Sequence, residues 1–179
     1  MFMKHKLFEE FLTKGCVRIN DPSVFSEIDF ETLRWKNSGM VGLPIVERDE
    51  QVQTAINTTQ KILGEKYVKI LDENYNVGQL CEIVNGMDQP TLVWHNDLVE
   101  GYNVCILLYF DSMDEDIGGS ISFRDSTTKE ITESFYPQYG DVLIMNHSKR
   151  FEHIVSELKI PLHRRVASFN YYINPAITA

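Results

Sequence analysis

The sequence predicts a mainly β chain with N-terminal helical support, an α+β protein whose strands form a jelly-roll, cupin-like barrel. Three observations predict it. Apolar residues recur at helical spacing in two segments ahead of residue 65, whereas after it they fall into short continuous or alternating runs. Turn residues such as Asn85-Gly86, Gly118-Gly119 and Tyr139-Gly140-Asp141 separate those runs. No repeat, low-complexity tract or linker splits the chain, so residues 1–179 read as one domain, with 1–65 as helical support and 66–173 as barrel core.

Element by element, residues 3–13 place Met3, Leu7, Phe8, Phe11 and Leu12 on one helical face, and Gly15 is the stop. GCVRIN (15–20) reads as a short strand. Pro22, Gly39, Gly42 and Pro44 break up 21–47, which carries no assignment and is expected to border the cavity mouth. Val52, Ile56, Thr59 and Leu63 define a second helix over about 49–63, ended by Gly64. Strands are predicted over 66–71, 78–85, 90–97, 102–111, 119–124, 129–136, 141–146, 152–157 and 164–173.

Composition removes several function classes. The formal net charge of −9 disfavours a surface that tracks phosphates, so nucleic acid is not the expected partner. No apolar run reaches the roughly 20 residues that cross a bilayer, and the acidic, amphipathic start is unlike a signal peptide. Cys16, Cys81 and Cys105 are scattered and odd in number, as expected of reduced thiols in a cytoplasmic protein. The acidic run DSMDEDIGG (111–119) lacks the spacing of a calcium loop and reads as a solvated turn.

The chemistry concentrates in TLVWHNDLVEGYNVCILLYFD, where His95 and Asp97 lie two apart on an extended backbone and so leave the same face. That pair is a polar patch or two-thirds of a metal site. A third ligand must come from a distant strand. His153 opens the apolar run RFEHIVSEL, whereas His147 sits in the polar, turn-like sequence IMNHSKR, so His153 is preferred. Two imidazoles and a carboxylate suit ferrous iron and leave positions for O2 and a cosubstrate. Arg164 and Arg165 are adjacent on the strand that opens RVASFNYYI; one points inward, where a buried guanidinium requires an anionic partner. Trp94 takes the opposite face from His95 and reads as packing, as do Phe135, Tyr136 and Tyr139 near the rim.

Taken together, HND at 95–97, YNVCILLYF, Gly118-Gly119 before SISF, GDVLIM at 140–145, His153 and RVASFNYY resemble the core of the 2-oxoglutarate/Fe(II)-dependent dioxygenases, in the order of the prolyl-hydroxylase-like branch. The resemblance covers about 90–173 and implies a double-stranded β-helix. It implies His95, Asp97 and His153 as catalytic iron ligands, and Arg165, by the register of Arg-Val-Ala, as the partner of the distal 2-oxoglutarate carboxylate. Tyr109, fourteen residues after His95, resembles the tyrosine that donates to that carboxylate, or is a core aromatic.

The implied activity is hydroxylation of a peptide side chain, amino acid or small metabolite. It would use Fe(II), O2 and 2-oxoglutarate, release succinate and CO2, and take ascorbate as auxiliary reductant. Related halogenases replace the carboxylate with a small residue, so Asp97 favours hydroxylation or another hydrogen-abstraction outcome such as desaturation. The segment CEIVNGMDQPTLVW lacks the tyrosines that often precede the motif, and the stretch from Asp97 to Tyr102 is short; neither supports a prolyl substrate. A cupin-like metal enzyme without 2-oxoglutarate, a non-catalytic barrel module and an acidic β domain with coincidental histidines are the alternatives.

Overall fold

The computed structural model describes residues 2–25, 28, 33–37, 44–85, 93–97, 102–159 and 164–178. In chain order its elements are α1 (Phe2–Lys14), β1 (Cys16–Asn20), a 3-10 turn (Pro22–Phe25), β2 (Trp35–Asn37), β3 (Pro44–Val46), α2 (Glu50–Leu63), a π turn (Gly64–Val68), α3 (Lys69–Leu71), β4 (Asn76–Asn85), β5 (Val104–Tyr109), β6 (Ile121–Asp125), β7 (Ile131–Phe135), β8 (Asp141–Asn146), β9 (Phe151–Val155), β10 (Arg165–Tyr172) and α4 (Pro175–Thr178). They build two antiparallel sheets, ordered β1-β8-β5-β10-β4-β3-β2 and β7-β6-β9. This is the double-stranded β-helix arrangement that the sequence predicts.

The central strands β5, β8 and β10 of the large sheet are buried on both faces, and their two-residue period sorts side chains between two cores. Ile106 and Leu108 of β5, Val142 and Ile144 of β8, and Ala167, Phe169 and Tyr171 of β10 pack with Leu7, Phe11, Ile56 and Leu63 of the helices. Their sequence neighbours Cys105, Tyr109, Leu143, Met145 and Val166 point the other way, against Ile121 and Phe123 of the small sheet. The second set lines the space between the sheets. Any residue on β5, β8 or β10 can therefore be assigned to the helix side or the interior by parity.

Both helices form where the spacing predicts them. Asp49 caps α2, its carboxylate accepting from the Val52 amide at 2.8 Å. Gly15 turns the chain from α1 into β1 at φ +79°, and the Phe151 ring fills the space a Cβ would need.

Gly64, by contrast, is not a stop. It keeps right-handed helical dihedrals, and the chain stays helical to Leu71. This overturns the strand expected over 66–71. Leu63, Tyr67, Val68 and Leu71 are buried at intervals of four, one and three, which is one helical face and incompatible with a two-residue period. Glycine is needed there because Tyr75 crosses within 2.5 Å of where a Cβ would stand.

Within the irregular 21–47 region, Val24 and Phe25 plug the helix-side core, and β2 and β3 extend the large sheet beyond β4. Residues 26, 27, 29–32 and 38–43, the remaining candidates for a cavity rim, lie outside the described residues, as does 90–92 of the strand expected over 90–97.

Asp21 ties the 3-10 turn to the π turn. Burial opposes its ionisation, but hydrogen bonds from Lys66, Ser23 and Tyr67 more than offset this and hold its carboxyl at about 2. A carboxyl depressed in the folded state adds stability above its unfolded value near 3.8 and loses it as pH falls toward 2. Asp21→Asn should therefore cost about 1–2 kcal/mol at neutral pH, and urea unfolding of both proteins should show the gap closing below pH 4.

Candidate metal centre

His95 and His153 meet through the backbone. The His95 amide donates to the His153 carbonyl at 3.1 Å and the His153 amide returns the bond at 2.8 Å, forming an isolated antiparallel bridge beside β9. Residues that exchange both bonds stand directly opposite one another with side chains on one face. The imidazole centroids are 4.3 Å apart. His153 also pairs across β6 with Phe123, an interior residue, which fixes the face as the space between the sheets.

Asp97, two residues beyond His95, joins them on that face. Its Oδ1 lies 3.6 Å from His95 Nε2 and its Oδ2 3.4 Å from His153 Nε2. One ligand atom from each of the three falls within 4.8 Å of the others. Ligands about 2.1 Å from a first-row ion at right angles are about 3 Å apart; each imidazole lies within a few tenths of an ångström of that spacing from a different oxygen of Asp97, and the set of one atom from each, within 4.8 Å, would draw together around an ion. Donor type agrees: two imidazoles and one carboxylate are the ligands ferrous iron takes on one face of an octahedron.

The tautomer of His95 agrees as well. Its Nδ1 is 2.9 Å from the Val93 carbonyl, an acceptor that requires the proton on Nδ1 and leaves Nε2 as a lone pair toward Asp97. Burial pushes His153 down to about 4, with the Asp97 carboxylate opposing, so the imidazole is neutral and ready to ligate at physiological pH. His153 is 8% exposed while the Asp97 side chain is 45% exposed, so the cluster opens toward solvent on its carboxylate side.

His147 lies near this centre without belonging to the three-residue set. Its ring stacks on that of His153 at 6.1 Å and 8°. The structure places His153, the third member expected from the sequence, in the cluster, because strand pairing holds it opposite His95.

The distal end differs from expectation at one position. Arg165 was expected to face inward, but its guanidinium grips Asp111 in two-point fashion, Nη2 to Oδ1 at 2.9 Å and Nε to Oδ2 at 3.2 Å, while its own amide bonds the same carboxylate at 2.7 Å. The inward arginine is Arg164, 3% exposed against 26% for the Arg165 side chain, its guanidinium carbon 5.5 Å from the Tyr109 ring centroid.

Parity explains the exchange. Val166 is interior and pairs with Tyr109, so even-numbered residues at the start of β10 face inward and Arg165 shares the parity of Ala167 and Phe169. Phe169 and Tyr171 mark the helix-packed face, while Tyr172, of the opposite parity, is exposed at the end of the strand. Tyr109 is fully buried, and burial raises its pKa while Arg164 pulls it the other way.

Between the two ends the interior is apolar, lined by Leu143, Met145, Phe123 and Val166. Trp94 lies outside it, under the Arg124 guanidinium at 4.3 Å, in keeping with a packing role. Tyr139 is exposed and lies toward Phe25 on the helix side.

No protein-family model and no curated protein matches the sequence. Solved structures do match the fold. A Trichoplax adhaerens prolyl hydroxylase, in complex with a hypoxia inducible factor oxygen degradation domain peptide, superposes with a TM-score of 0.68 at 16% identity, over 96% of this chain and 89% of that one. HygX of Streptomyces hygroscopicus, with nickel and 2-oxoglutarate bound, gives 0.63 at 13% over 93% and 86%. The non-heme alpha ketoglutarate dependent epimerase SnoN from nogalamycin biosynthesis gives 0.63 at 12% over 96% and 83%. At these identities the shared property is the fold.

Calorimetric titration with Fe(II) under argon should show one site. Replacing His95, Asp97 or His153 singly by Ala should weaken it by more than about a hundredfold, beyond the loss typical of a supporting residue. Undiminished binding in any of the three would remove that residue from the centre.

Proposed function

We propose that this protein is an Fe(II)- and 2-oxoglutarate-dependent oxygenase that hydroxylates a peptide side chain, amino acid or small metabolite. One observation carries the reading. A single interior face holds a two-imidazole, one-carboxylate cluster and, beyond an apolar stretch, a buried arginine beside a buried tyrosine. A dicarboxylate with a short hydrocarbon spacer matches that sequence of surroundings. The fold shared with an alpha ketoglutarate dependent epimerase and with a structure that holds nickel and 2-oxoglutarate supports the same assignment.

His95, Asp97 and His153 hold the iron, which when bound supplies the activation of O2 that couples oxidation of substrate to conversion of 2-oxoglutarate into succinate and CO2. The chain's own contribution is placement. The Val93 carbonyl holds the His95 ring with Nε2 facing the metal position. Arg164 neutralises the distal carboxylate, and its planar fork fixes the orientation of the far end. The Tyr109 hydroxyl, kept protonated by burial, is available to donate to the same carboxylate. Leu143, Met145, Phe123 and Val166 exclude water from the methylene groups between. The exposed side of Asp97 leaves the approach for the primary substrate.

Arg164→Met and Arg165→Met separate this assignment from the expected one. In anaerobic titrations of the Fe(II) protein, the visible charge-transfer band of the 2-oxoglutarate chelate should require at least about thirtyfold more 2-oxoglutarate in Arg164→Met. Arg165→Met should lower thermal stability by freeing Asp111 and leave the titration midpoint nearly unchanged. Iron binding without a band in the parent protein would favour a cupin-like enzyme. Succinate formation that tracks hydroxylated product would support the hydroxylase outcome; loss of substrate hydrogen without oxygen insertion would count against it.

A further inference from the structure

His147 follows β8 directly, with the parity of the interior residues Leu143 and Met145. It is 5% exposed, between Tyr102, 5.7 Å from its ring, and His153, 6.1 Å away in parallel. Its backbone is secured, the amide donating to the Asn103 carbonyl at 3.0 Å. Its side chain is not: neither Nδ1 nor Nε2 has a hydrogen-bond partner among the described residues.

A neutral imidazole carries one N–H donor and one lone pair, and burying both unmet is a cost that a phenylalanine of similar shape would avoid. The neighbouring Phe123, 5.9 Å from the His153 ring on the interior face, shows that this environment takes a plain aromatic ring. A polar ring held beside a metal centre, with nothing among the described residues to satisfy it, points to a partner that arrives with the ligand.

Resting on the oxygenase reading, we infer that His147 is a positioning residue that donates a hydrogen bond to the carboxylate of 2-oxoglutarate at the metal end of the space between the sheets. The contact is separate from the distal grip. Asn146, the residue before it, pairs with Val104 at the start of β5, whereas Tyr109 and Arg164 stand at the other end of that strand. The chelating carboxylate is therefore held from the β8 side and the distal carboxylate from the β10 side. His147 lies outside the three-ligand set, so its role lies in ligand affinity and leaves iron affinity alone.

His147→Phe tests this with readouts other than turnover. The variant removes the two unmet nitrogens, so the metal-free protein should melt at or above the parent temperature. Calorimetric Fe(II) affinity should be unchanged. The 2-oxoglutarate concentration at half-maximal charge-transfer absorbance should rise about tenfold to a hundredfold. Restoring a donor with His147→Asn or His147→Gln should recover part of that loss in at least one of the two. Combined with Arg164→Met, the losses should multiply, as for contacts at opposite ends of one ligand.

A parent protein that binds iron but develops no band would overturn the oxygenase reading itself. A parent band with an unchanged midpoint in His147→Phe would overturn the inference alone. Loss of Fe(II) binding in a stably folded His147→Phe would also overturn it, by making His147 part of the metal site.

Discussion

Two backbone hydrogen bonds between His95 and His153 set the geometry on which everything at this centre depends. They join a segment from the middle of the chain to β9, far along it, and force two imidazoles to stand side by side on one face. The two-residue period of extended backbone then delivers Asp97 to the same face with no further device. A slip of one residue in that bridge would turn His95 and Asp97 away together. Metal affinity is thus a property of strand register before it is one of side chains.

The large sheet applies the same rule elsewhere. Its central strands β5, β8 and β10 are covered on both faces, so each divides its residues between a helix-side core and the space between the sheets. The adjacent arginines at the head of β10 show how sharply this acts. Arg164 and Arg165 are chemically identical, but one is buried beside Tyr109 and the other is clamped by Asp111 at the sheet margin. Asp111 has a definite purpose in this arrangement: it gives the helix-side arginine a partner, which a charge at that position needs.

Much of this was legible in the sequence because it rests on local period. The two amphipathic helices, the HxD pair and the apolar strand bearing His153 follow from spacing alone. What was not legible depends on contacts between distant segments. The helical continuation through Gly64 is decided by Tyr75 crossing over it and by the burial of Tyr67 and Leu71, and six residues with β-like composition cannot reveal that. The inward arginine is decided by the pairing of Val166 with Tyr109, which fixes parity only once β5 and β10 are in register. His147 read as a turn residue because polar residues follow it; its burial comes from Tyr102 and His153, neither adjacent in sequence.

The most direct test of the account is a crystal structure of the protein loaded with Fe(II) and 2-oxoglutarate in the absence of oxygen. It should show Nε2 of His95 and His153 and one oxygen of Asp97 within about 2.2 Å of the metal, with the distal carboxylate of 2-oxoglutarate on the Arg164 guanidinium. A metal bound elsewhere, or a distal carboxylate held by Arg165 after it has left Asp111, would contradict it.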